Sequence, residues 1–335
     1  MKTKKADTKF CGVNQKKIEK AHPVIDERNL KYLYQFIKRR YGIHIKKDVL
    51  KKDPPWTKDD VLLNFRFTNI RREHDRESKW LIKNIATNPA LCYEDKLMNC
   101  ILFRLYNKHE TSELIGMPIA FYESEERWNP EWYRSLFEAA LKDDPHRIFF
   151  TGAFNTGGLK RALKWYLPND TPDNSMEMRI LYFIRHLLDE DIVSQIKAAK
   201  KQSDVYDSLR SYMGLGNFLA YQIFVDMTYI KQFPFSENEF TIAGPGCQMG
   251  LNYLFKDRDG MSYEECIFWV RDNLERLFKE VLGKDWDCSE IFWDLPEYDQ
   301  CFNVMSLENC FCELSKYIRA KDGTGRPRKK YNGKG

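Results

Sequence analysis

The sequence contains neither a long apolar run nor a secretion pattern. None of its apolar stretches approaches the roughly 20 residues that a helix needs to span a bilayer. The basic start, MKTKKADTKF, is not followed by the apolar segment that a secretory signal requires. We therefore predict a protein with no membrane partner. It would act in the cytoplasm, which is the host cytoplasm if the source is viral, or in the nucleus if the source is eukaryotic.

Cysteine pairs with metal-binding or redox spacing are also lacking. The nine cysteines are an odd number, no C-x-x-C occurs, and most of them stand among apolar residues. Cys310 and Cys312 are close in sequence, but no further pair is spaced to complete a zinc site. We expect reduced thiols in the core and no bound metal.

A phosphate cradle of the G-x-x-x-x-G-K-[ST] type is absent, which argues against a P-loop kinase within this chain. Strand-like alternation is scarce, and internal repeats are lacking. The 335 residues, 43% hydrophobic and 14% aromatic, suffice for a sizeable core. Helical patterns dominate, such as Asn29–Tyr41 and Tyr263–Leu282, the latter ended by Gly283. The predicted fold class is mostly α.

Positive charge is concentrated towards both ends of the sequence. The net charge is +5, residues 1–60 are rich in lysine, and the last segment reads GRPRKKYNGKG. Such ends are typical of solvated tails and of segments that bind polyanions. We predict a disordered basic arm over residues 1–25, one helical domain over 26–320 and a flexible basic tail over 321–335. The helical domain could divide into lobes at 26–170 and 171–320.

Residues 211–251 contain two glycine turns and one isolated acid. Gly214 and Gly216 stand between helical patterns, and the free N–H groups of a helix that starts there would suit a phosphate. The alternative is an ordinary turn between helices. Asp226 follows a nearly uncharged run, so its carboxylate should be paired, exposed at a cleft or shifted in pKa. The second turn, Gly244-Pro245-Gly246, could let the backbone approach a ligand closely or could be a plain loop.

The segment from residue 55 to residue 85 mixes aromatic residues with many charges. Asn69, Arg72 and Arg76 are three and four positions apart, which predicts that they share one face of a helix. Asp75 follows Arg72 by three positions and could pair with it. A surface helix laced with ion pairs is the alternative, but the aromatic neighbours favour partial burial.

Four separated segments resemble, in the same order, a family associated with thymine hypermodification in viral DNA. The family comprises the α-glutamyl/putrescinyl thymine pyrophosphorylases, also described as amino acid:DNA transferases. A related helical domain accompanies the 5-hydroxymethyluracil DNA kinases. The resemblance runs from residue 53 to residue 331 and rests on PWT-x6-NFRFTNIRREHDRESKW, FLAYQIFVDMTY, FTIAGPGCQMGL and SLENCFCELSKYIRAKDGTGRPRKKY.

The first glycine turn also resembles the helix-hairpin-helix of the DNA glycosylase superfamily. This resemblance implies a helix-hairpin-helix, DNA glycosylase-like helical fold. Bifunctional members of that superfamily carry a lysine nucleophile shortly after the hairpin. Here Asn217 and Phe218 occupy that place, so Schiff-base chemistry is not expected at this position.

The family resemblance implies a specific reaction and specific partners. An amine from an amino acid or a polyamine would displace diphosphate from 5-(pyrophosphoryloxymethyl)uracil in DNA. The partners would be double-stranded DNA carrying a modified pyrimidine, the amine co-substrate and a separate DNA kinase. No cofactor is certain, although a monovalent cation at the hairpin or a divalent cation with the diphosphate would fit the chemistry.

The candidate residues are assigned to this reaction by their chemistry. Arginine suits bidentate phosphate recognition, so Arg72 and Arg76 would contact the diphosphate. Asp226 would be the base or amine anchor, or else a structural cap, and Asp75 would orient the arginines. The candidates are Asp226, Asp75, Arg72 and Arg76 for catalysis; Asn69, Gln222, Gly244 and Gly246 for substrate binding; and Gly214, Gly216, Asn217 and Arg210 for DNA binding.

Two other functions stay open from the sequence alone. A monofunctional glycosylase could use Asp226 or an acid of Glu237-Asn238-Glu239, and it would leave an abasic site. A non-catalytic helical partner of a 5-hydroxymethyluracil DNA kinase would bind DNA without turnover. The arginine–asparagine cluster favours the transferase, because a glycosylase has no diphosphate to neutralise. Neither the amine nor the source, a phage or a eukaryotic virus, can be read from the sequence.

Overall fold

A computed structural model describes most of the chain. The first twelve residues and most of the expected basic tail lie outside the described part. The described residues are 13–122, 128–151, 156–167, 175–295, 302–325 and 327.

The described chain is mostly helical, which confirms the predicted mostly α fold class. Short 3₁₀ turns cover Arg72–His74, Pro130–Tyr133 and Lys164–Tyr166, and π-helical turns cover Ile45–Val49 and Ile82–Ala86. None of the described helices is long and apolar enough to cross a membrane. In chain order the α-helices are α1 (Gln15–Lys20), α2 (Glu27–His44), α3 (Asp60–Asn64), α4 (Arg76–Leu81), α5 (Tyr93–Tyr106), α6 (His109–Leu114), α7 (Arg134–Asp143), α8 (Thr156–Leu163), α9 (Met176–Asp189), α10 (Ile192–Lys197), α11 (Gln202–Arg210), α12 (Asn217–Met227), α13 (Pro245–Leu254), α14 (Tyr263–Leu282), α15 (Ser289–Phe292) and α16 (Val304–Lys321).

The part of the expected basic arm that the structure describes is ordered, so the prediction of disorder over residues 1–25 is wrong for residues 13–25. Helix α1 buries Ile18, and its Lys17 ammonium lies 2.9 Å from a carboxylate oxygen of Glu265. Strand β1 (Val24–Ile25) then pairs antiparallel with β2 (Phe255–Asp257). The buried Ile18 and the short strand pair thus hold in place a segment whose composition had predicted a solvated tail.

The chain divides into two compact units. The inserted unit comprises residues 76–236, and the terminal unit comprises the described residues of 11–75 and 237–335. These units differ from the sequential lobes 26–170 and 171–320 suggested by the sequence. The difference arises because the chain leaves the terminal unit after Asp75 and returns to it at Glu237, a topology with no local sequence signal.

In the terminal unit, α13 crosses α16 at very close range. A Cβ atom on Gly250 would overlap the backbone carbonyl of Phe311, and one on Gly246 would meet the sulfur of Cys312. The glycines therefore let two helix backbones approach each other without intervening side chains. Around this crossing lie the apolar faces of α2 and α14, including the buried Leu33.

In the inserted unit, α5 is buried on nearly all sides. It packs against α9 and α12, and all twelve of its residues from Asp95 to Tyr106 are buried. Helix α12 is buried from Leu219 to Met227. Polar groups that these helices carry must find partners inside the protein, because an unpaired buried charge is very costly.

Candidate functional site

The arginine-rich segment does not form the single helix that its spacing predicted. Helix α3 ends at Asn64, and the backbone of Phe65 is extended. A 3₁₀ turn begins at Arg72, the chain extends again at Asp75, and α4 starts only at Arg76. The expected shared helical face of Asn69, Arg72 and Arg76 is therefore wrong, because two extended stretches interrupt the helical spacing.

Asn69 and Asp75 nevertheless come together in the terminal unit. One Asp75 oxygen accepts a hydrogen bond from the Asn69 backbone N–H at 3.0 Å and another from its side-chain amide at 2.9 Å. The same amide also donates to the carbonyl of His74 at 3.1 Å. Burial raises the pKa of Asp75, while the Asn69 bonds and the charges of Arg40 and Arg72 oppose that rise. These contacts hold the loop in place, and a role for Asn69 in reading a base stays a prediction.

Glu308 on α16 has an unusual environment for a carboxylate. It is half-buried, and one of its oxygens accepts the backbone N–H of Gly244 at 3.3 Å. Burial raises the pKa of Glu308 to about 7, against the lowering effects of that N–H and of the Arg72 charge. A carboxylate with this pKa exchanges protons near neutrality, as a general base must.

Arg72 supplies the positive charge of the Glu308 neighbourhood. The residue is 9% exposed, and its charge acts on both Asp75 and Glu308. On the other side of the loop, Glu264 accepts the backbone N–H of Ala243 at 3.0 Å. The structure thus gathers the predicted Asn69, Arg72, Asp75 and Gly244 around a carboxylate that the sequence did not single out; we call these five residues the Glu308 cluster.

The two glycines of the second turn have different surroundings. Gly244 is the N-cap of α13 and directs its N–H to Glu308. Gly246 faces Cys312 across the helix crossing described above. Packing against α16 therefore accounts for the missing side chain at Gly246, and its predicted contact with a ligand stays a prediction.

Arg76 begins α4 in the inserted unit and is 68% exposed at its side chain. Its guanidinium lies 2.9 Å from Glu77 and 3.8 Å from Glu110. His109 joins them, with its Nδ1 atom 3.2 Å from Glu77. Ligand atoms of Glu77, His109 and Glu110 lie within 4.8 Å of one another and could hold a metal ion. The Arg76 guanidinium already pairs with Glu77 and Glu110. An ion-pair network therefore explains this grouping of side chains as well as a metal site does.

Asp226 is paired, which is one of the three outcomes expected for it. Arg104 of α5 donates through Nε to one carboxylate oxygen at 2.6 Å and through Nη2 to the other. The side chains are 5% and 0% exposed, and a third Arg104 nitrogen donates to Asn107 at 2.8 Å. Gln222, one turn earlier on α12, is also buried. The pairing favours the structural alternative for Asp226, and its catalytic role stays a prediction.

The first glycine turn joins α11 to α12 in a helix–turn–helix arrangement. Gly214 has φ of +111°, a backbone conformation that favours glycine, and it packs near Leu163. Gly216 is the N-cap of α12 and is exposed together with Asn217. Arg210 donates to the side-chain oxygen of Asn217 at 3.3 Å, which places a cation beside the start of the helix. The predicted DNA-binding residues are therefore neighbours, and their contact with DNA stays a prediction.

Comparison with known proteins gives the family. Residues 27–326 match the family described as the helical domain of 5-hmdU DNA kinases. The chain belongs to this family. One relative is a 5-hmdU DNA kinase of Bacillus phage SP10, which is 26% identical over 292 residues. No solved structure gives a significant match.

The match to the phage kinase covers 83% of this chain but only 43% of the kinase. The chain therefore spans less than half the length of that relative. The resemblance to the helical domain found beside 5-hydroxymethyluracil DNA kinases is confirmed.

Two residues of this 5-hmdU DNA kinase helical domain were missed by sequence reasoning. Glu308 lies within SLENCFCEL, a segment noticed for its resemblance and not for its chemistry. Arg104 is a charge inside the apolar stretch KLMNCILFRLYN, which is itself a signal of a buried ion pair. Its partner Asp226 shows the same signal, so the two could have been matched as single charges within apolar runs.

Proposed function

We propose that this chain acts on DNA that carries a derivative of 5-hydroxymethyluracil. In the proposed reaction an amine displaces diphosphate from 5-(pyrophosphoryloxymethyl)uracil. Membership of the helical-domain family supports the DNA substrate class, because a relative is named for its action on 5-hmdU DNA. The resemblance of four segments to thymine pyrophosphorylases supports the transfer step.

The observation that carries the catalytic proposal is the half-buried Glu308, which accepts the Gly244 N–H and feels the charge of Arg72. In the proposed step the amine nitrogen forms a bond to the exocyclic methylene carbon, and the bond from that carbon to the diphosphate oxygen breaks. The attacking nitrogen gives up a proton, which Glu308 accepts, since its pKa of about 7 suits a base near neutral pH. Diphosphate leaves with the bonding electron pair, and Arg72 neutralises part of its charge.

Each unit contributes its own candidate residues to the proposal. Arg210, Asn217 and the exposed N-terminus of α12 would hold a backbone phosphate in the inserted unit. Asn69 and Asp75 would shape the wall of the Glu308 cluster in the terminal unit. The reactive base must leave the helical stack to be attacked, which costs a few kcal/mol.

Product analysis tests this proposal. The purified chain is incubated with duplex DNA that carries pyrophosphorylated hydroxymethyluracil and with putrescine or an amino acid, and the nucleosides are analysed by mass spectrometry. A new amine-substituted thymidine, together with released diphosphate, is the expected result. An abasic site would instead identify a glycosylase. Intact substrate in the presence of DNA binding would contradict the transferase.

A DNA-binding partner of a separate 5-hydroxymethyluracil DNA kinase is the second candidate. The match to the phage kinase favours this candidate, because it covers only 43% of that kinase. This alternative predicts that the chain binds hydroxymethyluracil DNA and increases phosphorylation by a kinase added to the reaction. The assay above separates the two candidates, because only the transferase releases diphosphate from pyrophosphorylated DNA by itself.

A further inference from the structure

A basic cavity of about 550 Å³ lies in the terminal unit, away from the Glu308 cluster. It is bounded by α2, by the loop before α3 and by the end of α16. Along α16, Glu308 and Lys321 are thirteen residues apart, which corresponds to about 20 Å. Its lining includes Tyr34, Lys38, Arg39, Lys46, Trp56 and Asp59.

Positive charge dominates the wall of this cavity. Five lining side chains are cationic and two are carboxylates, so the formal net charge of the wall is +3. Asp59 is fully buried at its side chain and contacts Arg39 at 2.5 Å and Lys321 at 2.9 Å. Burial alone would raise the pKa of Asp59, but hydrogen bonds from Tyr317, Lys321 and Arg39 lower it to about 2. Asp59 therefore stays ionised and anchors two cations at the cavity wall.

Two further cations are positioned by neutral groups. Lys46 donates to the backbone carbonyl of Trp56 at 2.8 Å, and Lys38 donates to the hydroxyl of Tyr34 at 3.1 Å. An ammonium group has three N–H donors, so one such contact fixes its position without neutralising it. These two lysines line the same cavity as the anchored Arg39, and a group of cationic side chains of this kind suits an anion.

The cavity also has aromatic walls and more room than a simple ion needs. Trp56 and Tyr34 both line it. Its volume is in the range of pockets that bind small organic ligands, and the cavity is partly open to solvent. Aromatic rings are the surfaces on which nucleic-acid bases stack.

We propose that this cavity binds a phosphorylated nucleoside, with phosphate oxygens on Lys38, Lys46 and Arg39 and the base against Trp56. The nucleoside can be a free nucleotide or one unit of a DNA strand, since both present the same phosphate and base. This inference does not depend on the transfer reaction proposed above.

Binding measurements on the full chain test this inference. The probes are thymidine 5′-monophosphate, a single-stranded dT decamer and uncharged thymidine, each titrated calorimetrically at low salt. The double variant Lys38→Met and Lys46→Met removes two cavity charges from exposed positions, so the fold should persist. The matched control, Lys279→Met and Lys284→Met, removes the same charge from exposed positions outside the cavity.

We expect at least one phosphorylated probe to bind, thymidine to bind much more weakly, and the cavity variant to lose affinity roughly tenfold or more. The control variant should bind as the wild type does. Binding of the monophosphate identifies a free-nucleotide site, and binding of the decamer alone identifies a strand site. Failure of both phosphorylated probes to bind, or equal losses in the two double variants, would overturn the inference.

Discussion

Arg104 donates hydrogen bonds to both carboxylate oxygens of Asp226, and both side chains are buried in the inserted unit. The pair joins α5 to α12, the two helices that form much of the core of that unit. A buried pair of this kind is costly to break from one side, because the remaining charge is left without compensation.

Replacing Asp226 with asparagine should destabilise the protein by about 3–5 kcal/mol, because the buried Arg104 would lose the carboxylate that accepts hydrogen bonds from two of its nitrogens. Urea denaturation measures the change. The control is Asp189→Asn, which removes a partner of Arg185 at a side chain that is 41% exposed, and it should cost less than about 1 kcal/mol. Wild-type stability of Asp226→Asn together with loss of transfer would instead support the catalytic role first predicted for Asp226.

The close crossing of α13 and α16 gives a second stability prediction. Gly250→Ala should destabilise by about 1–3 kcal/mol or more, because its new methyl group would overlap the Phe311 carbonyl. Gly42→Ala is the matched control, since open space surrounds Gly42 within α2 and alanine favours a helix by about 0.5–1 kcal/mol. Equal unfolding midpoints for the two variants would show that the helices are not packed as described.

Glu308 makes stability depend on pH in a defined direction. Its pKa is raised from an ordinary value near 4.5 to about 7 on folding. Its contribution to stability is therefore fully present below about pH 4.5 and is lost as the pH rises through about 7, a loss of up to about 3 kcal/mol. Glu308→Gln should lack this loss and so gain stability relative to the wild type between pH 5 and pH 8. The exposed Glu280→Gln should track the wild type across the same range, and a parallel course for Glu308→Gln would refute the assigned pKa shift.

Periodic patterns predicted the helices well, whereas charge spacing did not predict the site. The helix over Tyr263–Leu282 and its end at Gly283 are confirmed, because local capping by Ser262 and the left-handed Gly283 fix both ends. Around Asn69 the same spacing of charges fits a helix or a loop equally well. In the structure this segment is a loop in which Asn69 donates hydrogen bonds to Asp75. The identities of the two side chains alone did not predict these bonds.

Contacts between residues far apart in the sequence were the second feature that the sequence could not predict. Asp226 and Arg104 are 122 positions apart, and Gly244 and Glu308 are 64 apart. Each member is recognisable as an unusual residue in its own segment, but the sequence does not say which segments meet. Some of the predicted site residues therefore lie around Glu308 and others at the α11–α12 turn, while Arg76, Gln222, Asp226 and Gly246 belong to neither group.

The two arginines first assigned to the diphosphate should now behave differently. Arg72→Met should lower amine transfer roughly a hundredfold or more, because Arg72 is buried, its charge acts on Glu308, and in the proposed step it neutralises the leaving group. Arg76→Met should have a much smaller effect, since Arg76 is largely exposed and pairs with Glu77. Single-turnover transfer is measured beside binding to plain duplex, which should change little in either variant. A larger loss of transfer in Arg76→Met would contradict the assignment.

The pH dependence of amine transfer tests the central claim most directly. Single-turnover incorporation of an amine into DNA carrying pyrophosphorylated hydroxymethyluracil is followed from pH 5.5 to pH 9 for the wild type and for Glu308→Gln. The wild-type rate should rise through an inflection near pH 7, as Glu308 loses its proton and becomes a base. Glu308→Gln should lack that inflection and be slower by about a hundredfold or more. Equal rates and equal pH profiles for the two proteins would contradict the account.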